Sequence, residues 1–270
     1  MASSLRKALV YGGSGALGRG VLKQFSEQGW LTLSVDVASV PKESTQYVTS
    51  SCVIDKNAGS LEHFEKSSRA VEKFLKTHNA KTLDCVVHTA GGFVMDNHHE
   101  NQEQFLEHME QMYRINGLSA CVATCLASRF LPETKTSKSN KVCILTGSYN
   151  AFHHWKAGVP VQIMMSYAIS KAMLHQLVQC TDKCTTQNNA YDIMCILPKT
   201  IDTAANRKAM PDADISKWTP VPEIAKICYQ MATHAKNYSN GGFYEIDTTN
   251  NVTSCRLVNV PDDMPKKAPL

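Results

Sequence analysis

The stretch Ala8-Leu9-Val10-Tyr11-Gly12-Gly13-Ser14-Gly15-Ala16-Leu17-Gly18-Arg19-Gly20 decides how the rest of the chain is read. Leu9, Val10 and Tyr11 form a short apolar run with the character of a buried strand, and Val21, Leu22 and Phe25 follow at helical spacing. Between them lies Gly13-x-Gly15-x-x-Gly18. A pyrophosphate seated on a helix N-terminus needs backbone N–H groups pointing at it and no Cβ in the way, and glycines at such a turn provide both. The glycine pattern alone is weak, because any tight strand-to-helix turn uses the same residues. Here it follows a strand, opens a helix and precedes a second strand, Leu31-Thr32-Leu33-Ser34-Val35-Asp36. A carboxylate at that point can accept hydrogen bonds from an adenosine ribose. Gly12, Gly13, Ser14, Gly15, Ala16, Leu17, Gly18 and Asp36 therefore form a candidate dinucleotide site.

Composition bounds the remaining possibilities. A chain of 270 residues, 43% hydrophobic and 19% charged, is globular and long enough to bury a large core. The net charge of +4 is mild, and no Lys/Arg stripe with interleaved aromatics argues for nucleic acid. No apolar run is long enough to span a membrane, and the sequence leads directly into its first strand, so a cytoplasmic location is expected. The ten cysteines then read as free thiols in a reducing compartment. Cys121 and Cys125, like Cys180 and Cys184, are spaced i, i+4 on helical stretches and read as small buried hydrophobes. Without any CxxC pair, no metal site is expected. The adjacent pairs His98-His99 and His153-His154 read as surface residues near a cleft.

Strands are expected at 7–11, 31–36, 84–89, 141–146, 191–197 and 242–246, with helices at about 18–28, 60–78, 101–131, 163–186 and 222–234. The strands are short and apolar without strict alternation, which is how parallel strands covered on both faces read. The alternation predicts an α/β fold, a single doubly wound Rossmann-type domain over 1–270 with a mostly parallel sheet and helices on both faces. Residues 133–140 read as a polar loop, and a substrate loop is expected at about 199–220. Ligands of such sheets bind at the C-terminal ends of the strands. At those ends stand Ala90-Gly91-Gly92-Phe93, Thr146-Gly147-Ser148 and Pro198-Lys199-Thr200.

Tyr167-Ala168-Ile169-Ser170-Lys171 carries the chemistry. Positions i and i+4 share a helix face, so an ammonium sits one turn from a phenol. Such a charge lowers the phenol pKa and makes the tyrosine a proton donor near neutral pH, while the lysine can also bond a ribose hydroxyl. A Tyr–Lys pair on a helix is common; one that follows a glycine-rich turn, an Ala-Gly-Gly turn and a serine-bearing strand end, in that order, is specific.

On these motifs the chain resembles the short-chain dehydrogenase/reductase family over nearly its whole length. The resemblance implies a catalytic group of Tyr167, Lys171, Ser148 and Asn116, the last in Arg114-Ile115-Asn116-Gly117. It implies a nicotinamide cofactor contacting Gly12–Gly18, Asp36, Ala90, Gly91, Gly92, Tyr167, Lys171, Pro198, Thr200 and Thr203. Two departures stand out: Ala16 replaces a glycine of the usual first turn, and the gap from Ser148 to Tyr167 is longer than usual, so 152–160 is expected to loop out. Within the family the chain resembles the quinonoid dihydropteridine reductase branch. The marks are Val10–Gly18, Lys171-Ala-x-x-His-Gln-Leu177 and Asn206-Arg-Lys-Ala-Met-Pro-Asp-Ala-Asp-x-Ser-x-Trp-Thr-Pro220. That resemblance implies NADH rather than NADPH, a pterin substrate bounded by Phe93, Ser148 and Tyr167, and a homodimer. The apolar surplus on helices 101–131 and 163–186 points to a dimer as well. A carbonyl or unconjugated-pteridine reductase on the same scaffold, and a non-catalytic dinucleotide-binding sensor, remain as alternatives.

Overall fold

The computed structural model describes residues 5–132, 141–154, 156, 160–188 and 190–258. The chain runs β1 (Lys7–Tyr11), α1 (Ala16–Glu27), β2 (Leu31–Asp36), β3 (Ser50–Val53), α2 (Ser60–Thr77), β4 (Cys85–His88), α3 (Gln102–Met112), α4 (Ser119–Phe130) and β5 (Val142–Thr146). It continues through α5 (Tyr149–Phe152), α6 (Met165–Asn188), β6 (Asp192–Pro198), β7 (Ile201–Asp202), α7 (Ala204–Ala209), β8 (Thr219–Pro220), α8 (Val221–Thr233), β9 (Phe243–Thr249) and β10 (Val252–Val258). The main sheet has the order β10-β9-β6-β5-β4-β1-β2-β3. Every neighbouring pair in it is parallel except β9 and β10. The order reverses between β1 and β4, so the ligand crevice opens at the ends of these two strands.

Both faces of the sheet are covered, which is why its central strands are buried from end to end. Side chains of one parity, among them Val10, Val87, Ile144 and Ile196, pack with Val21, Leu22 and Phe25 of α1 and Ile224, Cys228 and Met231 of α8. Those of the other parity, such as Leu9, Val86, Leu145 and Leu197, pack with Val71 and Phe74 of α2, Ala123 and Leu126 of α4 and Leu174 and Val178 of α6.

The expected α/β architecture is the observed one, with differences of detail. The strands β3, β7, β8 and β10 are not among those expected. In β10 the pattern is weak because the strand lies at the sheet edge with Val252 and Leu257 exposed. It turns back from β9 through Asn250 and Asn251, whose φ values of 51° and 60° suit a two-residue hairpin turn. The helix expected over 101–131 is divided by a π turn, Tyr113–Leu118, between α3 and α4. Residues 133–140 lie outside the described residues, as do 155 and 157–159 of the stretch expected to loop out at 152–160, where Phe152 and His153 are buried instead.

The segment 199–220 is tied at both ends. β7 pairs with β8, the Trp218 side chain is buried, and the Thr248 hydroxyl donates to the fully buried Thr219 at 3.1 Å. Between these ties α7 and the turn at Ile215–Lys217 are exposed, and α7 is held to β7 by a bidentate Arg207–Asp202 pair of 2.6 and 2.7 Å. Exposed elements with few buried contacts open most easily. Hydrogen exchange should therefore find Trp218 and Thr219 protected in the free protein, and 204–217 protected only after NADH and a pterin analogue are added. Strong protection of 204–217 without ligand makes the whole segment scaffold instead.

Candidate functional site

The site begins where β1 meets α1. Gly12 has φ of 96°, and a Cβ there would overlap the backbone nitrogen of Ala90 at the end of β4. A Cβ on Gly18 would fall on the Gly12 carbonyl oxygen. These two glycines let three backbones converge. Ala16, in place of a family glycine, is the first residue of α1. Gly15 precedes it as N-cap with no side chain to bond the helix amides, and no acidic residue stands in the first turn. Those amides and the positive end of the helix dipole are left for an anion.

Asp36 pins this turn. Its carboxylate accepts the backbone N–H of Ser14 at 2.8 Å and that of Ala38 at 3.1 Å. From the other side the Arg19 guanidinium donates to the Ser14 carbonyl at 2.6 Å. A cavity of about 840 Å³ opens beside the turn, lined by Gly12, Ser14, Gly15, Asp36, Ala90 and Gly91. Gly13 backs onto Ser34, and Leu17 is buried among the residues of the core, so these two shape the turn from behind. The bare helix start, the glycine cradle and the cavity together fit a dinucleotide.

The far wall of the cavity is not legible in the sequence. Lys56 and Asn57 come from the β3–α2 connection, His63 from the first turn of α2, and Glu107, Glu110 and Arg114 from α3 and the π turn. No motif marks them, because they meet only through the packing of β3, which the strand pattern does not disclose.

Past Gly91 the Tyr167 group begins. Asn116 is fully buried in the π turn. Its side-chain oxygen accepts the Gly92 N–H at 3.0 Å, and its amide donates to the Gly92 carbonyl at 3.1 Å and to Ser170 Oγ at 3.0 Å. Ser170 in turn donates to the Tyr167 carbonyl at 2.7 Å. Asn116 thus ties the Gly91-Gly92 turn to the first turns of α6. The side chain of Ser148, the residue after Gly147 at the end of β5, lies near enough to the Tyr167 phenol to favour its charged form. The Phe93 ring, half exposed, meets the Tyr167 ring edge-on at 5.0 Å.

Lys171 is buried, and its ammonium donates to the Thr146 carbonyl at 2.8 Å. Burial lowers its pKa to about 8. The ammonium lies 5.9 Å from the centre of the Tyr167 ring. The sequence predicts a phenol made more acidic by this lysine. In the structure burial holds the Tyr167 phenol above its ordinary value, and the influence working against burial is the Ser148 hydroxyl. The arrangement can hold a proton on the phenol, polarise an oxygen placed between Tyr167 and Ser148, and keep a cation behind them.

Pro198 ends β6 and Thr200 and Thr203 follow it, and none of the three lines the cavity. Pro198 is buried, the Thr200 carbonyl accepts the Thr219 N–H at 2.8 Å, and the Thr203 hydroxyl caps α7 by accepting the Asn206 N–H at 3.1 Å. Two expectations are corrected. His153 is buried at 2% exposure, because α5 turns it under Phe152 toward Glu245. Cys125, Cys180 and Cys184 are exposed and Cys121 is only partly covered, since they face away from the sheet. The buried thiols are Cys85 and Cys143, Cys195 and Cys228, four strand or helix positions that face the core.

Comparison with known proteins agrees with this geometry. The family model described as short chain dehydrogenase matches residues 6–214. A protein of Dictyostelium discoideum named dihydropteridine reductase is 27% identical over 256 residues, covering 92% of this chain and 97% of its own length. Among solved structures, a short-chain dehydrogenase/reductase from Serratia marcescens superposes with a TM-score of 0.70 at 22% identity, over 92% of this chain and 98% of that one. BdcA, solved in complex with NADPH, superposes with a TM-score of 0.68 at 20% identity, over 89% and 92%.

The buried ammonium makes a test independent of any substrate. A lysine whose pKa is lowered on folding costs stability wherever it stays charged in the native state. That cost fades as pH rises from about 8, where the native ammonium loses its proton, toward about 10.4, where the unfolded one does. Lys171→Met should therefore melt above wild type at pH 7, with the gap shrinking across that window, when both are followed by circular dichroism.

Proposed function

This chain belongs to the short-chain dehydrogenase/reductase family and is an NAD(P)-dependent oxidoreductase, and we propose that it reduces quinonoid dihydropteridine to tetrahydropteridine with NADH as the reductant. The observation that best supports a pterin is the Phe93 ring set edge-on to Tyr167 at 5.0 Å. It puts an exposed aromatic wall beside the proton donor, suited to a flat bicyclic ring. The near full-length similarity to a dihydropteridine reductase supports the same substrate.

Gly12, Ser14 and Gly15 would hold the cofactor phosphates against the start of α1, Asp36 its adenosine ribose, and Lys171 its other ribose. Bound there, NADH would supply the hydride. The chain's own residues do the rest. Tyr167 delivers the proton that balances the hydride, so that one NADH and one proton convert the dihydropterin to the tetrahydropterin. Ser148 steadies the phenolate left behind, and Lys171 behind the pair supplies positive charge. Asn116 keeps the Gly91-Gly92 backbone at a fixed distance from Tyr167, and Phe93 closes the cleft. Asp36 favours NADH because its carboxylate repels a 2′-phosphate.

A second reading, reduction of an ordinary carbonyl or of an unconjugated pteridine, is favoured by Ser148 at the Tyr167 phenol, a pair suited to polarising a carbonyl oxygen. NADH oxidation measured with freshly generated quinonoid dihydropterin, 7,8-dihydropterin, simple quinones and ketones separates the two. Turnover of the first above the others supports the proposal; turnover of ketones alone replaces it with the second reading. Tyr167→Phe should lower kcat, more on a ketone than on a reactive quinonoid pterin, and Asp36→Ala should narrow the preference for NADH over NADPH in kcat/KM.

The homodimer belongs to the same proposal. Met112, Ala120, Ala123, Leu126 and Ala127 pack into the chain's own core. The exposed Leu106, Tyr113 and Ile169 on α3, the π turn and α6 are the surplus a second copy would cover. Light scattering at low micromolar concentration should give twice the single-chain mass; the single-chain mass overturns the dimer.

A further inference from the structure

The face of α6 that carries Tyr167 and Lys171 carries a third polar group. His175 stands one further turn along, at i+8 from the tyrosine and i+4 from the lysine. It is 7% exposed. The rings of Phe152 and Phe243 hold it edge-on, at 5.4 and 5.7 Å between centres. Its Nε2 accepts the backbone N–H of Ser148 at 3.3 Å. Gly147 lies so close that a Cβ there would stand 2.6 Å from the same nitrogen. An imidazole that accepts at Nε2 carries its proton on Nδ1 and is neutral. Burial does keep it neutral, lowering its pKa to about 3, with the charges of Lys171 and His153 acting in the same sense.

Ser148 is a demanding residue to place. It ends a buried strand connection, it caps the four-residue helix α5 through a long 3.4 Å bond from the Ala151 N–H, and its hydroxyl must still meet Tyr167. Its backbone N–H is buried and bonds His175 rather than a strand carbonyl. Without an acceptor that donor would be stranded, and a stranded buried donor is relieved by moving the backbone. We infer that His175 is a positioning residue, which holds Ser148 by its backbone so that the serine hydroxyl meets the Tyr167 phenol. One helix then carries the proton donor, the cation behind it and the anchor of the donor's hydrogen-bond partner. The inference rests on Tyr167 being the proton donor of the proposed reaction.

Two substitutions and one cycle test it. His175→Leu keeps the bulk and removes the acceptor; His175→Gln keeps an acceptor. H175L should lower kcat about tenfold, the loss of one buried hydrogen bond, while KM for NADH stays within about twofold because the cofactor cradle is untouched. H175Q should recover most of that loss. In a Ser148→Ala background H175L should have no further effect, since its influence passes through the serine. Amide hydrogen exchange in the free protein gives a readout without any substrate: the Ser148 amide should be protected in wild type and H175Q and exchange faster in H175L. Wild-type kcat in H175L, unchanged Ser148 protection, or a full multiplicative loss on top of S148A overturns the inference. Should H175L not fold, His175→Asn, too short to span the gap, takes its place with the same expectations. If the wild type turns over no quinonoid dihydropterin, the substrate proposal fails alone, and the amide exchange still decides whether His175 holds Ser148.

Discussion

The cleft depends on how closely three backbones approach one another. The end of β1, the end of β4 and the start of α1 meet at Gly12 with no room for a Cβ. The ladder itself imposes this. The N–H of Ala90 bonds the Tyr11 carbonyl at 3.0 Å and that of Gly12 bonds the Val35 carbonyl at 2.8 Å, so β1 holds its neighbours on both sides up to its last residue. Beyond that residue the chain has to leave the sheet at once, and glycine with φ of 96° can do so. Because the turn leaves abruptly, α1 starts with its amides facing the crevice rather than the core. The carboxylate of Asp36 then fixes the turn from the neighbouring strand. Side-chain chemistry enters only after this backbone arrangement is made.

The Tyr167 group is built on a different plan. Here buried polar residues hold one another: Asn116 to Gly92 and Ser170, Lys171 to the Thr146 carbonyl, His175 to the Ser148 amide. Each bond joins an element that would otherwise be free to shift. Partly satisfied networks of this kind are costly, and fully satisfied ones rigidify the site. The cost is visible in Lys171, whose ammonium is kept in a place that favours its neutral form. Stability is given up locally to keep a cation behind the phenol.

The range of the interactions sets how much of this can be read from the residues. The first turn, Asp36, the Ala90-Gly91-Gly92 turn and the Tyr167–Lys171 pair are local, set by spacing along one strand end or one helix face, and the sequence discloses them. The parallel strands at the centre of the sheet are legible because burial on both faces makes them uniformly apolar. Edge strands lack that mark. β10 alternates between exposed and half-covered positions, and the better signal is the Asn250-Asn251 turn before it. The cavity wall at Lys56, Asn57, His63 and Arg114 depends on where β3 is placed, and Ser148–His175 on a contact across 27 residues. His175 does leave one trace: it continues the i, i+4 row that Tyr167 and Lys171 begin.

The π turn at Tyr113–Leu118 has a consequence for the length of the chain. Such a turn stores one extra residue inside a helix that otherwise runs on unbroken. The carbonyls it loosens are satisfied locally: the Ser119 hydroxyl donates to Ile115 at 2.7 Å and lies 3.3 Å from the Asn116 carbonyl, and it also meets His88 Nε2 at 2.8 Å on β4. An insertion that would shift a strand out of register is absorbed here as a rotation of about 100°, the turn per residue of a helix. Upstream, the Phe105 carbonyl of α3 accepts the Ser166 hydroxyl of α6 at 3.4 Å, while α4 downstream presents Ala123 and Leu126 to the sheet. Removing a single residue from this segment would therefore act like a screw, turning the whole of α3 against α6 while leaving α4 where it is.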